Sequence, residues 1–270
     1  MNQISLPYIE EGDATGVPVL FLHGGTDSWR SFEPVLPHLP DDIRAVAVSM
    51  RGHGDAPKPE SDYTIEELAG DVIALMEELD LGPAVLVGHS MGTMVAERIA
   101  IEVPERVLGL VLAGAFGQPQ RNSPGLLELR DEFGEIEGPI ARELAHEFQA
   151  STTATPLDPE QLDVFVDETQ KVPAHVWRGI FSAFPEVDYA AELAALAPPA
   201  LIVQGEQDEM IPPEERNVLL GILPSARLIV YEGAGHALHW EQPERLAADV
   251  VEFSREASSR SEPRPHASAA

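Results

Sequence analysis

The chain has no cysteine among its 270 residues. Disulfides, thiolate nucleophiles and cysteine-ligated zinc or iron–sulfur centres are thereby excluded. Positive charge is also scarce: 17 Lys and Arg stand against 46 Asp and Glu, for a formal charge of −29. Phosphate backbones and anionic bilayers bind clustered cations, so neither nucleic acid nor a membrane surface is an expected partner. No apolar run approaches the roughly 20 residues that cross a bilayer. The opening "MNQISLPYIEEGDATG" has neither a basic nor an apolar leader segment. A soluble cytoplasmic protein, monomeric or homodimeric, is the expectation.

What the chain does have is apolar content, 44% of residues, enough for a well-filled core. Short β-branched runs recur as "PVLFL" (18–22), "RAVAV" (44–48), "AVLVG" (84–88), "VLGLVLAG" (107–114), "ALIVQG" (200–205) and "ARLIVYEG" (226–233). They lack polar alternation, as strands buried on both faces of a parallel sheet do. Helical periodicity falls between most of them. Thr64 with Glu67 opens a segment at 64–80 as a capping pair, and further helices fit 92–103, 213–223 and 243–256. Alternating strands and helices predict an α/β fold with a mostly parallel central sheet flanked by helices.

One interval departs from this rhythm. Between "VLAG" at 111–114 and "ALIVQG" at 200–205 the apolar positions, including Phe133, Phe148, Phe165, Trp177, Phe181 and Phe184, follow helical spacing near 124–134, 138–150, 159–171 and 174–184. A structureless loop of that length is improbable in a compact domain, so an inserted helical subdomain is expected. The division expected is a core of 1–117 and 197–255, an inserted helical segment of 118–196, and a disordered tail of 256–270 rich in Ser, Pro and Ala.

The stretch "LVGHSMG" at 86–92 sets Ser90 between a buried strand and an apolar helix. On such a sharp turn, side chains two residues either side collide, and Gly88 and Gly92 remove them. The hydroxyl then sits at the C-terminal sheet edge and at a helix N-terminus, where backbone N–H groups favour an anion. A serine needs a base, an orienting acid and an oxyanion site to act as a nucleophile. His236 follows the last predicted strand in a glycine-flanked loop, with His239 as its local competitor. Asp208 follows "ALIVQG" as the acid, with Glu206 and Glu209 as rivals. The strand end "LFLHGG" can aim the Gly25 N–H to where the Met91 N–H also arrives, so that two donors meet one developing oxyanion.

Taken together, "LHGG" (22–25), "RGHGDAPKP" (51–59), "GHSMG" (88–92), "GEQDEMIPP" (205–213) and "GAGHALHWEQPERL" (233–246) resemble the α/β-hydrolase superfamily. Within it, the likeness is to the cap-bearing serine esterases and lactonases with enol-lactonase-like and haloperoxidase-like relatives. The motifs span about 7–255 in the family's order. The resemblance implies Ser90 as nucleophile, Asp208 as acid and His236 as base, in chain order. It implies no metal and no organic cofactor, and a small to medium carboxylic ester or lactone cleaved through an acyl-enzyme. Trp29, Phe116, Trp177, Phe181 and Phe184 are the candidate substrate contacts. Ala56 stands where many relatives have Ser, and Thr93 where a further glycine is common. Ser90 argues against the epoxide-hydrolase and dehalogenase branches, whose nucleophile is an aspartate. Three alternatives stay open: a perhydrolase or haloperoxidase-like activity on the same three residues, a carbon–carbon bond hydrolase, and a non-catalytic ligand-binding receptor.

Overall fold

The computed structural model describes residues 4–61, 63–117 and 124–261. Its strands are β1 (Tyr8–Glu11), β2 (Val17–Leu22), β3 (Ile43–Val48), β4 (Ala84–His89), β5 (Val107–Ala113), β6 (Ala200–Gly205) and β7 (Arg227–Tyr231). They form one seven-stranded sheet in the order β1-β3-β2-β4-β5-β6-β7. Every pairing is parallel except β1 with β3. The six apolar runs therefore appear as the six parallel strands. β1 carries the polar sequence YIEE and is almost wholly exposed, which removes the hydrophobic signal for it.

Side chains alternate across the sheet. Leu20, Leu22, Val46, Leu86, Leu110 and Ile202 pack on one face against α1 (Ile65–Glu78) and α2 (Met91–Glu102). Val19, Phe21, Val85, Val87, Val111 and Val203 pack on the other with the last helix of the chain. Burial on both faces explains why these strands read as continuous apolar runs. Helix α1 starts where its cap predicts: the Thr64 hydroxyl accepts from the Glu67 N–H at 3.2 Å.

Between β5 and β6 the chain is helical, with α3 (Pro124–Phe133), α4 (Arg142–Ser151), α5 (Pro159–Gln170), α6 (Ala174–Ala183) and α7 (Ala190–Leu196). Residues 118–123, the start of the expected cap, lie outside the described ones. After β6 come α8 (Pro213–Ile222), a short turn α9 (Leu238–Glu241) and α10 (Pro243–Ser261). The expected tail of 256–270 thus needs correcting at its start, because α10 continues to Ser261. Phe253 and Ala257 stay buried one turn apart, and the Arg255 guanidinium makes two 2.9 Å bonds to the Asp42 carboxylate. These contacts outweigh the Ser-rich composition that suggested a break. Residues 262–270 lie outside the described ones. No helix among the described residues is long and apolar enough to cross a membrane.

Candidate active site

Four parallel strands end on one rim, and each delivers one part of the site. β2 runs into His23-Gly24-Gly25, β4 into Ser90, β6 into the Asp208 loop and β7 into the His236 loop.

Ser90 has φ 50 and ψ −117, a conformation L residues rarely adopt. Its N–H donates to the Ala113 carbonyl at 3.0 Å, and its own carbonyl accepts from the Thr93 N–H at 2.9 Å and the Thr93 hydroxyl at 2.6 Å. The threonine that stands in place of a glycine thus supplies an extra bond that holds the turn. Glycine is obligatory at both flanks. A Cβ on Gly88 would fall 2.4 Å from the Gly92 carbonyl oxygen, and one on Gly92 would fall 2.0 Å from that of Leu22. Among the described residues nothing hydrogen-bonds the Ser90 hydroxyl, and it faces a cavity.

Asp208 is buried and spends its oxygens on four donors. Oδ1 accepts from the Met210 N–H at 3.0 Å and the Ile211 N–H at 2.9 Å; Oδ2 accepts from Gln204 Nε2 at 2.6 Å and His236 Nδ1 at 3.0 Å. With Nδ1 donating, the His236 ring presents Nε2 as an acceptor, and the residue lines the same cavity as Ser90. The rivals go elsewhere. Glu206 is exposed and accepts from the Gly233 N–H, and Glu209 is exposed. His239 packs under the site with Nε2 2.9 Å from the Ser31 hydroxyl, and burial pushes its pKa down to about 3. His89 is buried as well; its Nε2–H donates to the His236 carbonyl at 3.1 Å and steadies that loop.

The Met91 N–H opens α2, and the Gly25 N–H lies in the loop after β2. Among the described residues neither N–H is taken by a turn or loop hydrogen bond.

The cavity offers about 40 Å³ to the centres of water-sized molecules, the room of a few waters. Phe116, Phe181 and Phe184 line it, as do Leu126, Leu129, Phe148, Met210 and Trp240. Trp29 and Trp177 do not, which corrects two of the expected contacts. Trp29 is half-buried against the opposite face of the sheet, with the Arg30 guanidinium over its ring. Trp177 is completely buried inside the helical insertion, its ring centroid 4.8 Å from that of Phe133 and 5.3 Å from that of Phe148. Helical spacing places an aromatic on a buried face without revealing whether that face meets a cavity or a neighbouring helix.

Sequence spacing also gave no sign of three polar residues. Gln204 holds the Asp208 carboxylate through its side-chain amide. Asp27 lines the cavity, and burial raises its carboxyl to about 6, against the lowering effect of hydrogen bonds from Gln149 and Ser31. Glu241 ties the His236 loop to the insertion, its oxygens accepting from the Gly235 N–H at 2.7 Å and the Ala154 N–H at 3.0 Å. Among the described residues no group of three or more His, Asp or Glu is gathered as a metal site.

Comparison with known proteins agrees with this architecture. The chain is 30% identical to a non-heme chloroperoxidase of Streptomyces lividans over 91% of its own length and 94% of that protein's. It superposes on a thermophilic esterase from Thermogutta terrifontis with a TM-score of 0.82 at 28% identity, covering 94% of each chain. An enol-lactonase from Burkholderia xenovorans LB400 shares the fold, with a TM-score of 0.80 at 23% identity over 93% of this chain and 97% of that one. The model of the alpha/beta hydrolase fold family matches residues 17–243, and the chain belongs to that family.

Proposed function

We propose that the protein is a serine hydrolase that cleaves a small to medium carboxylic ester or lactone through an acyl-enzyme, with the helical insertion as its cap. The observation that carries this reading is the His236 ring, held by Asp208 through Nδ1 and lining the same cavity as an unpartnered Ser90 hydroxyl. His236 takes the Ser90 proton as Oγ bonds to the carbonyl carbon. The Gly25 and Met91 N–H groups hold the resulting oxyanion. As the carbon–oxygen bond to the leaving group breaks, protonated His236 returns the proton to the departing alkoxide, which leaves as the alcohol. Water, deprotonated by His236, then attacks the acyl-enzyme and releases the acid and Ser90.

A small, aromatic-walled cavity under α6 supports compact uncharged acyl groups over triglycerides and peptides. The likeness to the chloroperoxidase supports a second reaction on the same residues, in which hydrogen peroxide replaces water in the final attack and a peracid leaves.

The test is covalent. A fluorophosphonate should label purified protein once, on the peptide that contains Ser90, and turnover should appear in a panel of short esters, aryl esters and lactones. A label on any other residue, or multiple turnover that survives complete labelling, would sink the reading. Phe184 supplies a check on the pocket. Phe184→Ala should raise KM for aryl esters roughly tenfold, the value of about 55 Å² of apolar contact at 25 cal/mol/Å², with a smaller change for acetate esters. Equal changes for both would place Phe184 outside the pocket.

A further inference from the structure

The helical insertion touches the candidate oxyanion loop at two places. Ile180 and Phe184 lie over Gly25, at 3.5 and 3.4 Å from where a Cβ would stand, in ordinary contact range. Gln149 of α4 makes the polar contact. Its side-chain Nε2 lies 2.9 Å from Asp27 Oδ1, 2.6 Å from Thr169 Oγ1 on α5 and 3.4 Å from Thr26 Oγ1. All four residues are buried, with Gln149 only 1% exposed.

The loop that Gln149 holds is under strain. Thr26 has φ 70, the left-handed region, where a β-branched residue is an outlier. A backbone of this kind persists only where its surroundings over-determine it. On one side, His23 anchors the loop from within the core: Nδ1–H donates to the Gly24 carbonyl at 2.8 Å, and Nε2 accepts from the Met50 N–H at 3.0 Å. On the other side the anchor comes from the insertion, through Gln149. Gly25 lies between the two.

We propose that Gln149 is a positioning residue through which the insertion sets the Gly25 N–H at the oxyanion site. The proposal rests on the serine-hydrolase reading and deepens it. Seating the insertion and aiming the oxyanion donor are then one event. Lifting α4 to admit substrate frees Thr26 to relax, and reseating it restores the donor. The consequence falls on the transition state, because the oxyanion exists only there, and leaves substrate affinity nearly untouched.

Gln149→Met keeps the side-chain length and removes the amide. With p-nitrophenyl acetate, kcat should fall about tenfold with KM within about twofold, a part of what losing a whole oxyanion donor costs. Inhibition by phenylboronic acid, which forms a tetrahedral adduct on the serine, should weaken by a similar factor. Thr26→Gly supplies the discriminating readout. Glycine holds φ 70 without strain, so adding Thr26→Gly to Gln149→Met should recover most of the lost kcat. A residue that merely held the insertion together would lower thermal stability, and relaxing Thr26 would restore nothing. Gln149→Glu retains the shape but sets a carboxyl against Asp27; it should lose kcat in the same way and serves as the test if Gln149→Met does not fold. Wild-type kcat in the Gln149 variant, a loss confined to KM, or no recovery on adding Thr26→Gly overturns the proposal. The underlying reading fails separately, by turnover that survives Ser90→Ala. Ser90-dependent turnover that is indifferent to Gln149 overturns the positioning role alone.

Discussion

Ser90→Ala should abolish ester turnover, by about 10⁴- to 10⁶-fold in kcat as nucleophile removal does in serine hydrolases, while leaving the fold as stable as before. The two halves of this expectation have separate causes. In the proposed mechanism, loss of turnover follows because the oxygen that forms the acyl bond is gone and His236 has no proton to take. Retention of stability follows because the Ser90 hydroxyl makes no hydrogen bond among the described residues, so its removal breaks none. Alanine keeps the Cβ and therefore the same strained φ 50. Ser90→Gly separates strain from chemistry: equally inactive, it should be more stable than Ser90→Ala by about 1 kcal/mol, since glycine occupies that backbone region freely. Thermal melts and initial rates on one short ester measure all of this. A Ser90→Ala rate within tenfold of wild type would remove Ser90 from the mechanism. Equal melting temperatures for the two variants would show that the elbow stores no strain.

The parts of the candidate site that chain-local chemistry defines were legible in advance. Gly88 and Gly92 mark the elbow because no Cβ fits there, and each remaining part follows the end of a buried apolar run. Parallel strands put those ends on one edge, so Ser90, Asp208 and His236 converge without any spacing rule linking them. What the pattern did not reveal depends on contacts between distant segments. Asp27 reads as an ordinary polar loop residue until Gln149, 122 positions away, closes over it. Trp177 and Phe181 share a helical face, yet one points into the insertion and the other into the cavity. Strand β1 is held by backbone pairing with β3, by the Arg44–Glu10 ion pair and by a single partly buried Ile9, which leaves too little apolar trace to read. The last turns of α10 persist because Phe253 and Ala257 are buried against the sheet, with Arg255 pairing Asp42, far away in sequence.

Glu97 carries the second large effect. It lies on α2, is 4% exposed, and its Oε1 has no hydrogen-bond partner among the described residues. Burial alone raises its carboxyl from the ordinary 4.5 to about 8. Folding at neutral pH therefore takes up a proton at Glu97, and stability declines as pH rises from about 4.5 to about 8. At pH 7 this amounts to about 3 kcal/mol, at 1.4 kcal/mol for each pH unit above the unfolded value. Glu97→Met removes the ionisable group and fills the space. It should stabilise the protein by about that amount at pH 7, by more at pH 8, and by little at pH 4. Four buried histidines act in the opposite sense. Burial holds His23 and His89 well below the ordinary 6.5, His53 at about 4 and His239 at about 3. Each is neutral when folded and protonated when unfolded below pH 6.5, so their contribution is present above that pH and lost on acidification. Near pH 5 the unfolded chain gains up to four protons there, while the folded chain keeps the two on Glu97 and Asp27. The difference favours unfolding, and wild-type stability should fall by roughly 3 kcal/mol per pH unit around pH 5. Denaturant melts of wild type and Glu97→Met from pH 4.5 to 8.5 measure both slopes. In Glu97→Met the acid limb steepens and the decline above neutrality disappears. Parallel curves for the two proteins would show that Glu97 is ionised in the folded state.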